Sequence, residues 1–257
     1  MSESQNSFIQ RWLHRRALSR WTAIADAAPN MRLASLRKVR ARALAMKELM
    51  DRVLFHAEGR LALPVDGSKA VQKPLNSDWA WRPEVWRGPI FPPGIAAAET
   101  KSTIGSEVTL FHDCKTSELT VRQVRNRREE DIAPFGLQVD VFRFDGSFMS
   151  LVINLPKEAV EGLTRRHIVR MEALVETEQP MELFARLNVR HGPNSVQLVR
   201  ELPLSNGKSV VEFDLAYTEL NEKRVDGAWV DLIFEGAEMN QVFLRDVTFS
   251  RRPRAEM

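Results

Sequence analysis

Three regimes of apolar spacing divide the chain. Over "LASLRKVRARALAMKELMDRVLFHAEGRLALP", Leu36, Val39, Ala43, Met46, Met50, Val53 and Ala57 recur at alternating steps of three and four. That spacing predicts a helix with one apolar stripe, a seam for a partner helix. Asn30 can cap its start, and Gly59 with Pro64 can stop it. Upstream, Phe8, Ile9, Trp12, Leu13, Trp21 and Ile24 alternate with Arg11, Arg15, Arg16 and Arg20. This predicts a second amphipathic helix, with Trp and Phe on one side and the arginines on the other. Pro29 separates the two, so an antiparallel helical hairpin is expected.

Residues 65–99 show little period. They are rich in Pro, Gly and Ser but hold Trp79, Trp81 and Trp86. So much aromatic surface argues for an ordered segment. Its rings either cover an open sheet edge or stack on sugar rings, whose axial C–H faces are apolar.

From Thr100 to Arg254 the period is two. Ten runs read as strands, from "SEVTLFHDC" to "QVFLRDVTFSRR", divided by the turn signals "DGS", "HGPN" and "SNGK". Only "PKEAVEGLTR" and "YTELNEKRV" could add a helical turn. Many short strands with few helices predict a mainly β fold, an antiparallel jelly-roll β-sandwich, behind the N-terminal α-helical hairpin.

The alternation also sorts faces. In "LFARLNVRHG", Leu183, Ala185, Leu187 and Val189 point one way, and Arg186, Asn188 and Arg190 the other. In "AWVDLIFE", Ala228, Val230, Leu232 and Phe234 oppose Trp229, Asp231 and Glu235. A polar outer face is what solvent requires of an antiparallel sheet. Planar Arg, Asn and carboxylate groups beside a Trp are also what a shallow, hydroxyl-rich ligand needs. The candidate ligand-binding residues are therefore Arg186, Asn188, Arg190, Trp229, Asp231 and Glu235, with Trp79 and Trp81 as further platforms.

Charge sharpens the division. The net charge is +3, yet residues 1–60 hold 12 Lys and Arg against 5 Asp and Glu, and the remainder is mildly acidic. Arg11, Arg15, Arg16 and Arg20 are the candidates for an anionic surface, a peripheral membrane contact. The hairpin could equally pack on itself, on the sandwich or on a second copy. The basic run "RKVRAR" is short and shares its helix with a packing stripe, which argues against nucleic acid.

The single cysteine, Cys114, allows no intrachain disulfide and no Cys-based metal site. The arginines in "FIQRWLHRRALSRWTAIADAA" break the apolar core of a secretory signal, and no apolar run is long enough to span a membrane. A cytoplasmic location, with peripheral membrane contact as an option, is expected. No GxSxG, GxGxxG, P-loop or HExxH pattern occurs. His112, Asp113 and Cys114 form the one tight His/Asp/Cys group. Asp231 and Glu235 share a face but lie roughly 13 Å apart at ~3.3 Å per strand residue, too far for glycoside hydrolysis. No catalytic residue, metal or cofactor is assigned.

The ending "WVDLIFEG…NQVFLRDVTFSRR", with Asp246-Val247-Thr248-Phe249, resembles the last two strands of galactose-binding-like and carbohydrate-binding jelly rolls. The chain as a whole is similar to a bacterial family of about this length known as a domain of unknown function. The first resemblance implies a sandwich with a glycan ligand and, often, a structural calcium. No Asp/Asn-rich loop here matches a calcium-ligand pattern.

The expected organisation is a basic helical hairpin over residues 1–64, a Trp/Pro-rich linker packed on the sandwich over 65–99, and a jelly roll over 100–257. The expected function is non-catalytic binding of a glycan or polyol, the helices serving self-association through their seam or anionic-surface contact. The alternative is a structural or assembly protein that uses the sandwich and the seam for protein–protein contacts. The arginines after Phe249 are expected to trail off as a solvated tail.

Overall fold

The structure, a computed structural model, describes residues 2–61, 73–204 and 207–254. The chain divides into two compact units, Met1–Leu54 and Phe55–Met257.

In the first unit, α1 (Ser2–Ala27) leads through a 3-10 turn at Ala28–Asn30 into α2 (Leu33–Leu61). Pro29 sits at the start of that turn, where its missing N–H costs nothing. Trp21, Ile24, Ala28, Met31, Leu36, Val39 and Ala43, on either side of the turn, are half-buried. The helix α2 passes through Gly59, an expected stop, and Pro64 lies outside the described residues. No described helix is long and apolar enough to cross a membrane.

The second unit is mainly β. Its strands are β1 (Trp79–Trp81), β2 (Gly94–Ala96), β3 (Ser102–Ile104), β4 (Val108–His112), β5 (Leu119–Arg125), β6 (Phe135–Val141) and β7 (Met149–Asn154). They continue with β8 (His167–Thr177), β9 (Glu182–His191), β10 (Asn194–Glu201), β11 (Lys208–Asp214), β12 (Val225–Glu235) and β13 (Asn240–Pro253). Helical turns α3 (Glu84–Arg87) and α4 (Lys157–Val160) interrupt them. Sheet A has the order β11-β8-β13-β6-β5-β2, with β1 also on β13, and sheet B the order β10-β9-β12-β7-β4-β3. All pairings are antiparallel. The jelly-roll sandwich expected from the alternation is thus present, and all ten expected strands appear as β4 to β13. "PKEAVEGLTR" supplies α4, and "YTELNEKRV" supplies a 3-10 turn at Glu222–Arg224, with another just before it at Leu215–Tyr217.

The core forms where the two apolar faces meet. Sheet A contributes Val169, Met171, Phe213, Leu137, Val139, Leu244, Val247 and Phe249, and sheet B contributes Leu183, Leu187, Leu151, Ile153, Val230 and Leu232, all buried. Burying each such side chain stabilises the fold by about 1.5–3 kcal/mol before chain entropy is set against it.

The segment between Trp79 and Glu99 is woven into this core. The pairing of β13 with β6 ends at Leu244, and β1 takes over the same edge at Phe249–Arg251. Between them the ladder to β8 slips by one residue, so Arg245 forms a bulge. The fully buried Trp86 donates its indole N–H to Leu244 O at 2.9 Å. Asn126 donates to Arg245 O at 2.8 Å. Both carbonyls at the bulge are therefore satisfied from outside the ladder. Gln123, facing inward from β5, accepts from Ile90 N–H and donates to Val85 O and Gly88 O, which ties α3 down.

The C-terminal arginines are not a solvated tail, and β13 runs on through Pro253. Arg251 is buried and holds Asp78 through Nε and Nη2 while its Nη1 donates to Ala159 O and Glu161 O. Arg252 pairs with Glu212, and Arg254 with Asp214 and Tyr217. Composition cannot distinguish a solvated arginine from one that closes a carboxylate and two carbonyls; the fold needs the second kind here.

Candidate functional site

The outer faces of the two sheets differ in kind. On sheet A the charges answer one another. Arg170 meets Glu172 at 2.6 Å, Lys208 meets Glu172 at 3.0 Å and Arg252 meets Glu212 at 3.2 Å. Arg128 meets Glu176 at 2.5 Å, Arg245 pairs with Asp131, and Arg122 lies 3.6 Å from Asp140. Burial pushes the Asp131 carboxyl up, but the hydrogen bonds and charge of Arg245 hold it below the usual carboxylate range. This is a self-paired, solvated face.

Sheet B is different. Register sets Val199, Arg186, Asp231, Val152 and Thr109 in one row across β10, β9, β12, β7 and β4. The next row in one direction is Phe184, Ile233, Ser150 and Phe111, and in the other Gln197, Asn188, Trp229 and Asn154. Arg186 donates from Nε to Asp231 Oδ2 at 2.8 Å, and its Nη2 lies 2.7 Å from the same oxygen. Asn188 Nδ2 donates to the same oxygen at 3.1 Å and to Arg186 O at 3.1 Å. Asp231 is 4% exposed and Asn188 1% exposed, although both lie on an outward face. Around them Trp229, Phe184, Ile233, Val152 and Phe111 are half-buried, and Phe148, just before β7, is exposed. Arg186 Nη1 and Asp231 Oδ1 make no hydrogen bond among the described residues. The arrangement offers a pre-aligned donor and acceptor beside half-exposed aromatic surface.

The structure therefore brings Arg186, Asn188, Trp229 and Asp231 together. Arg190 lies one row further on and pairs with Asp226 at 2.7 Å. Glu235 sits near the opposite end of β12, in register with Glu182, two rows from Asp231. Trp79 and Trp81 are on sheet A, half-buried against the core, stacked at 6.3 Å, with Trp81 5.9 Å from Phe249. They do not share the sheet B face. Sequence reasoning passed over Phe184 and Ile233, which fall in the same alternation phase as Arg186 and Asp231, and Phe111 and Val152, apolar residues in phase with Thr109, Ser150 and Asn154.

The other candidate groups serve the fold. His112 is buried, its Nε2 2.9 Å from Ala98 O while its Nδ1 accepts from Cys114 N–H, so the ring is locked as a strand-end brace. Asp113 accepts from Ser147 N–H, Ser147 Oγ and Phe148 N–H, which holds its carboxyl below the usual range. Burial pushes the Cys114 thiol up, away from a reactive thiolate. Among the described residues no group of three or more His, Cys, Asp or Glu is placed to hold a metal ion. On α1, the Arg16 guanidinium lies 5.1 Å over the Trp12 ring, and the helical step sets Arg15 on the other flank of Trp12. The arginines thus surround the tryptophan and do not occupy an opposite face. The side chains of Phe8 and Ile9 lie outside those described.

A family model described as a family of unknown function, DUF6478, matches residues 1–257. The chain belongs to the DUF6478 family. No curated protein matches it. Among solved structures, this DUF6478 chain is similar to a family 11 carbohydrate-binding module from Clostridium thermocellum, in complex with a β-1,3-1,4-mixed-linked tetrasaccharide. The identity there is 9%, over 62% of this chain and 96% of that one, with a TM-score of 0.38. It is also similar to a CBM22-1 xylan-binding domain from Paenibacillus barcinonensis at 11% identity, over 63% and 94%, with a TM-score of 0.36. A third is the enzymatically active domain of tailspike protein 4 of bacteriophage CBA120, at 9% identity, 56% of this chain and a TM-score of 0.41. The DUF6478 chain spans only 19% of that tailspike chain. These are likenesses of sandwich outline and assign no side chain.

Proposed function

We propose that this protein is a non-catalytic binding protein that takes a glycan or similar polyol on the outer face of sheet B, across β9, β12, β7 and β4. The observation that carries the reading is the contrast between the two outer faces. The charges of sheet A are consumed by one another, whereas sheet B holds buried Asp231 and Asn188 that fix the half-buried Arg186 beside half-buried Trp229, Phe184 and Phe111. An apolar ring face can lie on the aromatics while hydroxyls meet Arg186 and Asp231. A hydrogen bond to a charged partner is worth about 1.5–3 kcal/mol, and truncating a central aromatic typically costs about 2 kcal/mol or more.

Calorimetric titration of the full chain against a panel of oligosaccharides tests this. Saturable binding to one class is expected, weakened by Trp229→Ala and by Arg186→Ala but unchanged by Trp79→Phe. Absence of binding across the panel, or binding indifferent to Trp229 and Arg186, refutes it.

A further inference from the structure

The widest run of exposed apolar side chains described on α2 lies between Met46 and Leu54. Ala43, Met46, Leu49, Met50, Val53 and Leu54 fall within an arc of roughly 140° at about 100° per helical residue. Leu49 is 64% exposed, Met50 53% and Val53 66%. Trp21 of α1 closes one side of a groove of about 330 Å³ against Ala43, Met46, Met50 and Leu54, with Lys47 and Asp51 at its rim. Toward the turn the same stripe, at Leu36, Val39 and Ala43, is half-buried; from Met46 to Leu54 it is exposed. An apolar stripe of this width belongs against something.

Charge decides what. Residues 11–42 carry nine Arg and Lys and a single acid, Asp26. By helical position Lys38 and Arg42 border the stripe on one side and Arg40 on the other, while Lys47 is paired with Asp51. No acid occurs between Met31 and Lys47. A second copy would offer the stripe apolar contact but bring an identical set of cations with it. An anionic lipid bilayer answers both features: its headgroups take the cations and its acyl boundary takes the Met and Leu side chains.

We propose that the helical unit is a docking element for an anionic lipid bilayer, with the Met46–Leu54 stripe of α2 at the headgroup boundary and Lys38, Arg40 and Arg42 reaching outward to phosphate. The long stems of Lys and Arg let the charge remain in the polar layer while the backbone sits lower. This element is independent of the sheet B face and stands or falls without it.

The test is flotation of the full chain with vesicles of phosphatidylcholine alone and with vesicles of phosphatidylcholine mixed with phosphatidylglycerol. Partition into the mixed vesicles only, released by salt, is expected. The pairs Met46→Asp with Met50→Asp, and Lys38→Glu with Arg42→Glu, each lower that partition at least about tenfold. All four positions lie on the helix surface, and circular dichroism checks that helicity is kept. Equal partition into both vesicle types, or partition unchanged by both pairs, overturns the proposal. So does a failure to bind either vesicle, and self-association abolished by the methionine pair would then name a second copy as the occupant.

Discussion

Replacing Trp86 by Phe isolates one function of the Trp-rich segment. The ring stays apolar and buried, so most of the packing survives. What disappears is the indole N–H that Leu244 O accepts at 2.9 Å. The Arg245 bulge places that carbonyl outside the ladder, and the site is buried, so no solvent replaces the donor. Leaving a buried acceptor unsatisfied costs about 1–3 kcal/mol. The lost ring volume adds about 1 kcal/mol for a cavity too small to refill. Trp86→Phe should therefore destabilise the sandwich by about 2–4 kcal/mol. With a urea slope of about 2 kcal/mol/M, the unfolding midpoint falls by about 1–2 M. Trp79→Phe is the control, since Trp79 is half-buried and stacks on Trp81; its shift should stay under about 0.5 M. The assay is urea unfolding followed by near-ultraviolet circular dichroism, which reports aromatic packing. If the two variants move the midpoint equally, the bulge does not depend on Trp86 and the segment is only a cover.

Asp231→Asn should lower sandwich stability by about 1–3 kcal/mol, because Arg186 loses its countercharge beside a buried partner; a thermal midpoint unchanged within error contradicts that. Gly136→Ala should destabilise by about 1–3 kcal/mol, since its Cβ would meet Phe243 Cε2 at 2.6 Å and Leu244 O at 3.0 Å, and wild-type stability in urea would show the strand relaxes freely. Asp78 and Asp131 both titrate below the ordinary range: burial pushes each up, but Arg251 and Arg245, respectively, pull each lower. Their folded pKa lies below the unfolded value of about 3.9, so the stability they contribute is complete above that value and is lost as pH falls through the folded one. The urea midpoint should decline below about pH 4, and the gap between wild type and Asp131→Asn should narrow there. A gap of the same size at pH 3 and pH 7 would sink this assignment.

Alternation made the ten long strands legible because each has enough residues for a period of two to be counted. It could not reveal β1, β2 and β3, which are three residues each and lie in or near a Pro-rich stretch. The bulge was written in the chain: Val242 and Leu244 face inward, then Val247 and Phe249, with Arg245 and Asp246 marking the change of phase. Of the candidate site, alternation gave the facing of Arg186, Asn188, Trp229 and Asp231. It could not give their adjacency, which depends on β9 pairing β12 across 45 residues of sequence at Arg186 and Asp231. Glu235 has the right facing and the wrong distance. Trp79 and Trp81 failed as outer platforms because β1 turns both rings toward the core.

The two outer faces can be weighed by what a ligand would have to displace. On sheet A, a hydroxyl reaching Arg245 competes with Asp131 and with Glu176 at 3.5 Å, and one reaching Arg170 competes with Glu172 and with Glu212 at 3.8 Å. Exchanging a charge-assisted bond for a neutral one loses strength at every contact, so that face gains little from any uncharged ligand. On sheet B, the Arg186–Asp231 bond can remain intact while the part-exposed Arg186 guanidinium offers its Nη1, already held in place by Asp231, Asn188 and the strand register. Fixing these groups in advance removes the ordering cost that normally subtracts from affinity. The half-buried rings beside them lose unfavourable water contact when covered. A neutral, many-hydroxyl ligand with an apolar face gains on both counts at sheet B and on neither at sheet A.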